Sequence, residues 1–344
     1  MKILYAIQGT GNGHLSRAKD IIPILKEIGA VDVLVSGCEV ELSLPFDIKY
    51  KLKGLGFVFG EKGGIDFWKT FVNMNIRTFF REIRQLPVDN YDLIISDFEP
   101  VSAWASFFKG KKIIGLSHQI AVINANSPKY KKGWLGRLIL RYYAPVAYEY
   151  GFHFKKYSKG IFGPVIRQEI RNQKVTNRGH YTVYLPSFSE DVLVEVLASF
   201  KNVLFEVFSK RADKIHFRNG ILISPIKNNE FVKSLASCEG LLCGAGFEAP
   251  AEALFLGKKL MVIPMKNQYE QLCNGAALRE LGVPVINGLS TLDCGLIEKW
   301  IAEEQNIPIS FPDDSKAIVH EIVSRFIVEE MILEEHNFES AVPL

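Results

Sequence analysis

The segment KILYAI (2–7) is six residues long, almost wholly apolar, and runs directly into GTGNGH (9–14). A run this short, bounded by glycine, has the form of a strand buried on both faces. Glycines at 9, 11 and 13 let the backbone turn sharply and expose its N–H groups. A helix is expected next, with Leu15, Ala18, Ile22, Leu25 and Ile28 on one face and Gly29 as its stop. Pro23 lies inside that pattern and predicts a kink or an early break. VDVLVSG (31–37) then reads as a second strand. Strand, glycine turn, helix and strand, in that order, open a doubly wound α/β domain.

The alternation continues along the chain. DLIISDFEP (92–100) and KKIIGLSHQ (111–119) are further apolar strands ending in polar residues, with DFWKTFVNMNIRTFFREIRQL (66–86) a helix before them. A second series contains YTVYLPS (181–187), NVLFEVFS (202–209), GILISPI (220–226), GLLCGAG (240–246) and KLMVIPM (259–265). The 344 residues are too many for one ordinary core. Two Rossmann-like parallel-sheet domains are therefore expected, 1–163 and 164–344, with the polar stretch 171–180 as connector. The C-terminal helix is free to cross back. Ligands of such open sheets bind in the crevice at the carboxyl ends of the strands.

Composition excludes several classes. A formal net charge of +3 is too near balance to argue for a nucleic-acid partner. Five cysteines, odd in number and without CxxC spacing, argue against a disulfide framework or a zinc ribbon and for a reducing compartment. The first apolar run is too short for a signal peptide, so a cytoplasmic location is expected.

Three anion-binding readings compete for the first glycine turn. A P-loop fails because no Lys-Ser/Thr follows, and a dinucleotide site is poor because His14 stands at the third glycine position. What remains is a turn that places a histidine at a helix start, beside unpaired N–H groups. The second turn, CGAGFEAPAEALFLG (243–257), again opens a helix whose N–H groups can hold an anion such as a pyrophosphate. Glu252 is placed two turns on to accept from ribose hydroxyls, and Glu270 and Gln271 in the next polar loop to read sugar hydroxyls. Each has a plainer reading: Glu252 as a solvent-facing helix residue, and Glu270 and Gln271 as helix caps.

These residues resemble those of the GT-B-fold glycosyltransferases, in particular the UDP-glycosyltransferases and the GlcNAc transferase of peptidoglycan lipid-intermediate synthesis. The likeness rests on Gly13-His14 in the first half and on Gly244, Gly246, Glu252, Gly257, Pro264, Glu270-Gln271 and Asn274 in the second. The chain is also similar to bacterial and archaeal glycosyltransferase-like proteins that open QGTGNGH. The resemblance implies two domains facing a cleft, a nucleotide-sugar donor (a UDP-sugar) and no metal. Gly244, Ala245, Gly246, Phe247 and Ser187 are implied on the donor side; Gly11, Asn12, Gly13 and His118 are implied on the phosphate and acceptor side. Ser209 is a second helper for phosphate, since GAGFEA lacks Ser, Thr or His.

In such a reaction an acceptor hydroxyl must lose a proton, which suits a base titrating near neutrality. His14 is the candidate, oriented by Asp97 of IISDFEP; the plainer readings are a helix-capping histidine and a loop aspartate. The motif leaves the acceptor open, a lipid-linked molecule and a polysaccharide among the candidates. YKKGWLGRLILRYY (130–143) interleaves basic and aromatic residues, as in a helix lying on the cytoplasmic face of an anionic membrane. A helix with solvated charges and an apolar core face fits the same pattern. Two other functions share the expected architecture: a nucleotide-sugar 2-epimerase and a non-catalytic binding module.

Overall fold

The computed structural model describes residues 1–10, 12–37, 45–55, 75–305 and 307–340. The first half contains β1 (Lys2–Gln8), β2 (Ala30–Ser36), β3 (Tyr50–Leu52), β4 (Leu93–Asp97), β5 (Ile114–Leu116), β6 (Tyr148–Phe152) and β7 (Ile161–Phe162). Its helices are α1 (Asn12–Ile28), α2 (Ile76–Gln85), α3 (Pro100–Phe108), α4 (His118–Ile123) and α5 (Trp134–Tyr143). The strands pair in parallel in the order β3-β2-β1-β4-β5-β6-β7. Helix α2 occupies the end of the helix expected over 66–86, whose first part lies outside the described residues.

The second half begins with the short helix α6 (Gln168–Arg171) and contains β8 (His180–Tyr184), α7 (Glu190–Leu197), β9 (Leu204–Ser209) and β10 (His216–Arg218). It continues with β11 (Ile221–Pro225), α8 (Asn228–Ser237), β12 (Gly240–Gly244), α9 (Glu248–Phe255) and β13 (Lys259–Ile263). Helices α10 (Tyr269–Glu280), α11 (Cys294–Ala302) and α12 (Ser315–Ser340) close it. The strand order is β10-β11-β9-β8-β12-β13, parallel except for β10 against β11. That pair is a hairpin turned by Asn219 and Gly220, both at positive φ as a two-residue turn demands.

Burial follows the sequence pattern. Residues 3–8 are fully or almost fully buried in β1, as a central parallel strand requires. Leu15, Ala18, Ile21, Ile22 and Leu25 bury the inner face of α1, which runs to Ile28 without ending at Pro23. Pro23 lies on the exposed face, where the loss of one N–H is met by solvent, and the packed neighbours carry the helix past it.

One apolar cluster joins the halves. It runs from β1 and α1 through Val165, Ile166 and Ile170 into α8, β12 and α9, and takes in Ile318, Val319, Ile322 and Val323 of α12. Helix α12 crosses back onto the first half: it packs on α1, and Phe326 meets the Tyr148 ring edge-on at 5.6 Å. Lys112–Glu330 at 2.7 Å and Lys316–Glu27 at 2.6 Å pin it at the surface. No described helix is long and apolar enough to cross a membrane.

Ile22 sits fully buried within this shared cluster. Ile22→Ala is expected to cost about 2–5 kcal/mol by lost transfer energy plus cavity, read as a lowered denaturant midpoint at unchanged slope.

Candidate active site

In each sheet the strand order reverses at one place, and there the crevice beyond the strand ends opens. In the first sheet it lies between β1 and β4, so the turn leading to His14 and the end of β4 at Asp97 meet. In the second it lies between β8 and β12, beside Ser187 and the turn Gly244–Phe247. The two crevices face each other. Gly13 packs so closely on Glu248, the first residue of α9, that a Cβ there would lie 2.5 Å from Glu248 Oε2. A larger residue at Gly13 would have to push the Glu248 carboxylate aside.

His14 and Asp97 are partners. His14 Nδ1 is 2.8 Å from Asp97 Oδ1, and Asp97 is fully buried. A carboxylate oxygen brings no hydrogen, so Nδ1 donates and Nε2 is left as the basic nitrogen. The next residue, Phe98, has φ 58, a conformation that costs a non-glycine residue of order 1–3 kcal/mol. The turn aims its ring parallel to the His14 imidazole (6.5 Å, 8°) and against Tyr143 (4.7 Å). A cavity of about 30 Å³ adjoins Phe98, with Ser96, Ser117, Ile120 and Leu140 in its wall.

Arg17, one turn beyond His14, reads in the sequence as an ordinary helix arginine, yet it ties the site together. Only 2% of it is exposed. Its Nη2 donates to Asp97 Oδ1 at 2.7 Å and Oδ2 at 2.8 Å, and its Nη1 crosses to Glu248 Oε1 at 2.7 Å. Burial by itself would raise the Asp97 carboxyl. The charges and hydrogen bonds of Arg17 and His14 outweigh it and hold Asp97 below the ordinary 3.8. Burial likewise opposes the charge on Arg17, but Asp97 and Glu248 keep the guanidinium protonated. Tyr5, buried next to Asp97, is held as the neutral phenol.

Two further contacts join the halves. His118 is buried in the first turn of α4, its Nδ1 donating to the Phe152 carbonyl at 2.8 Å. Its Nε2 meets Asn274 Oδ1 at 2.8 Å, and its ring stacks on Phe247 at 3.9 Å and 6°. Asn274 in turn donates to the Ala245 carbonyl. Next to it, Gln119 Nε2 lies 3.0 Å from Glu270 Oε2 and 3.3 Å from His14 Nε2.

The remaining expected residues are placed as follows. Glu252 is 2% exposed, and Arg167 Nε and Nη2 donate to its two oxygens at 2.5 and 2.8 Å, so its carboxylate faces a cation and not solvent. Gln271 Oε1 accepts from Met265 N–H at 2.9 Å, close to Gly244. Gly246 has open space on its Cβ side. Ser187 lies half-buried in the turn after β8, and Ser209 donates to Glu190. Gly11 lies outside the described residues, and Asn12 begins α1. Among the described residues no group of three or more His, Cys, Asp or Glu side chains is set to hold a metal ion.

Helix α5 departs from the core-face reading. Trp134, Leu135, Leu138 and Tyr142 are exposed, Trp134 at 77%, and within the helix only Tyr143 is buried. Its inner side rests on α10, where a Cβ at Gly136 would lie 2.5 Å from Tyr269 Cβ.

Two parallel sheets facing each other through their switch-point crevices define a GT-B-fold protein. The model of glycosyl transferase family 1 matches residues 1–305, and the chain belongs to that family. No curated protein sequence matches it. Among solved structures it is similar to MurG of Acinetobacter baumannii, with 13% identity and TM-score 0.54 over 94% of this chain and 99% of that one. A UDP-glucosyltransferase from Polygonum tinctorium that glucosylates indoxyl gives 14% and 0.55, over 94% and 98%. A protein assigned as a UDP-N-acetylglucosamine 2-epimerase from Listeria monocytogenes gives 14% and 0.62, over 94% and 96%. At these identities the likeness shows the fold.

Asp97 is the partner whose loss leaves Arg17 buried and underpaired. Asp97→Ala is expected to cost about 3–5 kcal/mol in chemical denaturation. Because the folded carboxyl is held low, its stabilisation is complete above about pH 4 and is lost as pH falls through the folded value. An Asp97→Asn variant, lacking that titration, should lose less stability on acidification than the parent.

Proposed function

We propose that the chain transfers a sugar from a nucleotide-diphosphate donor, a UDP-sugar, to an acceptor hydroxyl, with His14 as the base. The observation that carries this reading is the His14–Asp97 pair, which leaves Nε2 basic at the crevice of one sheet opposite the glycine turn of the other. In the reaction His14 Nε2 takes the hydroxyl proton and the oxygen bonds to the anomeric carbon. The bond from that carbon to the diphosphate oxygen breaks, its electron pair leaving with the nucleotide. Asp97 steadies the imidazolium.

The donor lies in this proposal against Gly244, Ala245, Gly246 and Phe247, with its diphosphate toward the start of α9. Ser187 lies beyond the neighbouring strand at the same edge, and Glu270 and Gln271 read sugar hydroxyls. Glu252 accepts from the ribose once Arg167 turns from it toward the diphosphate; the open side of Gly246 leaves room for the nucleotide. The proposal puts the acceptor on the side of Gly13 and His118. The growing negative charge is met by helix N–H groups and by arginine, so the scheme includes no metal.

The acceptor in this reading is lipid-linked and is met at an anionic membrane surface by α5. That helix exposes Trp134, Leu135, Leu138 and Tyr142 beside Lys131, Lys132, Arg137 and Arg141, with no acidic residue from 130 to 143. A second reading, a nucleotide-sugar 2-epimerase, is favoured by one observation: Glu248 brings a further carboxylate into the crevice, beside Asp97 and Glu270.

Incubation with UDP-sugars, with and without a lipid extract, tests the main reading. Acceptor-dependent UDP release is expected; a 2-epimer formed from UDP-N-acetylglucosamine alone would establish the second reading instead. His14→Ala should lower turnover by about 10²–10⁴-fold while calorimetric UDP affinity stays within twofold, since the base acts on the acceptor. Co-sedimentation with vesicles containing phosphatidylserine should exceed that with neutral vesicles. Arg137→Ala and Arg141→Ala together should weaken it by about 2 kcal/mol, roughly thirtyfold.

A further inference from the structure

Gln119 is 6% exposed and lies between the candidate base and Glu270 of the second half. Its amide is oriented by its neighbours. Glu270 Oε2 lies 3.0 Å from Nε2, and only the N–H side of an amide can face a carboxylate at that distance. The same nitrogen lies 3.3 Å from His14 Nε2. His14 Nδ1 lies 2.8 Å from the Asp97 carboxylate, closer than the 3.3 Å to Arg17 Nη2, so Nδ1 carries the hydrogen and Nε2 accepts from Gln119. A protonated Nε2 would set two donors against each other. The amide oxygen of Gln119 is buried without a hydrogen-bond partner among the described residues.

We infer that Gln119 is a positioning residue: it holds His14 Nε2 unprotonated and aimed into the crevice, and offers Oε1 to a substrate hydroxyl. As a catalytic assignment this rests on the transferase reading, but the contact itself does not. The hydroxyl that replaces the Gln119 N–H at His14 Nε2 is the one to be deprotonated. Gln119 stays fixed to Glu270 as this happens, and its oxygen receives a hydrogen bond from a neighbouring hydroxyl. A buried acceptor without a donor is costly, so the site favours a polyhydroxylated ligand that supplies one. The substrate class is thus a sugar or glycosyl acceptor with two adjacent hydroxyls, one for His14 and one for Gln119.

The charged and titratable groups around His14 are Asp97 on β4, Arg17 on its own helix, Glu248 on α9, Glu270 on α10 and Tyr5 on β1. Gln119→Ala and the near-isosteric Gln119→Leu keep all of these residues and remove the amide whose two N–H groups face His14 and Glu270. In both, the midpoint of the His14 ring titration, followed by NMR of histidine-labelled free protein, should move up by about 0.5–1 pH unit, the worth of one neutral hydrogen bond. Gln119→Glu, which places a carboxylate there, should move it further in the same direction. His14→Gln identifies the resonance.

The acid limb of kcat/KM should move with the midpoint, and KM for the acceptor should rise more than KM for the donor. A His14 midpoint that stays fixed in all three variants would overturn the inference, whatever the enzyme's turnover. A midpoint that moves in a protein without sugar transfer supports the contact and counts against the transferase reading alone.

Discussion

The bidentate ion pair of Arg17 with Asp97 is the contact on which the rest of the site depends. Burying a guanidinium and a carboxylate costs several kcal/mol each unless every oxygen and N–H finds a partner. Here Asp97 is shared by Arg17 and His14, and Arg17 by Asp97 and Glu248. Satisfying the cation therefore does two things at once. It fixes the imidazole with Nδ1 as donor, and it holds the Glu248 carboxylate of α9 across the crevice beside Gly13. One positive and two negative charges leave the cluster an anion in excess.

Topology explains why these groups come from distant parts of the chain. Residues 14, 17 and 97 meet because β1 and β4 are neighbours across the reversal of strand order, although 83 residues separate His14 from Asp97. The second half repeats the arrangement at β8 and β12. What keeps the two crevices opposed is continuous packing behind them. The apolar cluster runs through both halves, and α12 returns to cover α1, the helix that carries His14 and Arg17. The helix farthest along the chain thus supports the first catalytic candidate.

Much of this was legible in the residues. Short apolar runs ending in glycine or polar residues marked the central parallel strands because those strands are buried on both faces and need no alternation. The hairpin of β10 and β11 carries a direct signal, Asn219-Gly220 in HFRNGILIS, but the edge strand before it is only three residues long and shows no pattern of its own. Arg17 gives no signal of its own because an arginine on a helix reads as solvated, and its burial arises only when β4 delivers Asp97. Glu248 was hidden in the same way, since its partner lies 231 residues upstream. Glu252 stands out in the sequence, but its pairing with Arg167 follows from the connector between the halves, which periodicity does not describe. The exposure of α5 reverses the usual inference from amphipathicity: an apolar face need not be a core face when the helix lies at an edge.

The disposition of groups around His14 bears on the choice between transfer and epimerisation. An epimerase handles one substrate, and its acid–base groups must reach both faces of the same sugar carbon. A transferase needs a separate place for its second substrate on the far side of the base. Phe98, held at positive φ, together with Tyr143 builds an aromatic wall beside His14. Tyr143 is the last residue of α5, the helix whose outer face is apolar and basic. A strained backbone conformation kept to orient a ring toward the base, at the root of an exposed amphipathic helix, is costly to a protein with no second substrate to seat. It has a direct use in one that seats a second substrate beside the base, and that asymmetry is the physical ground for preferring transfer.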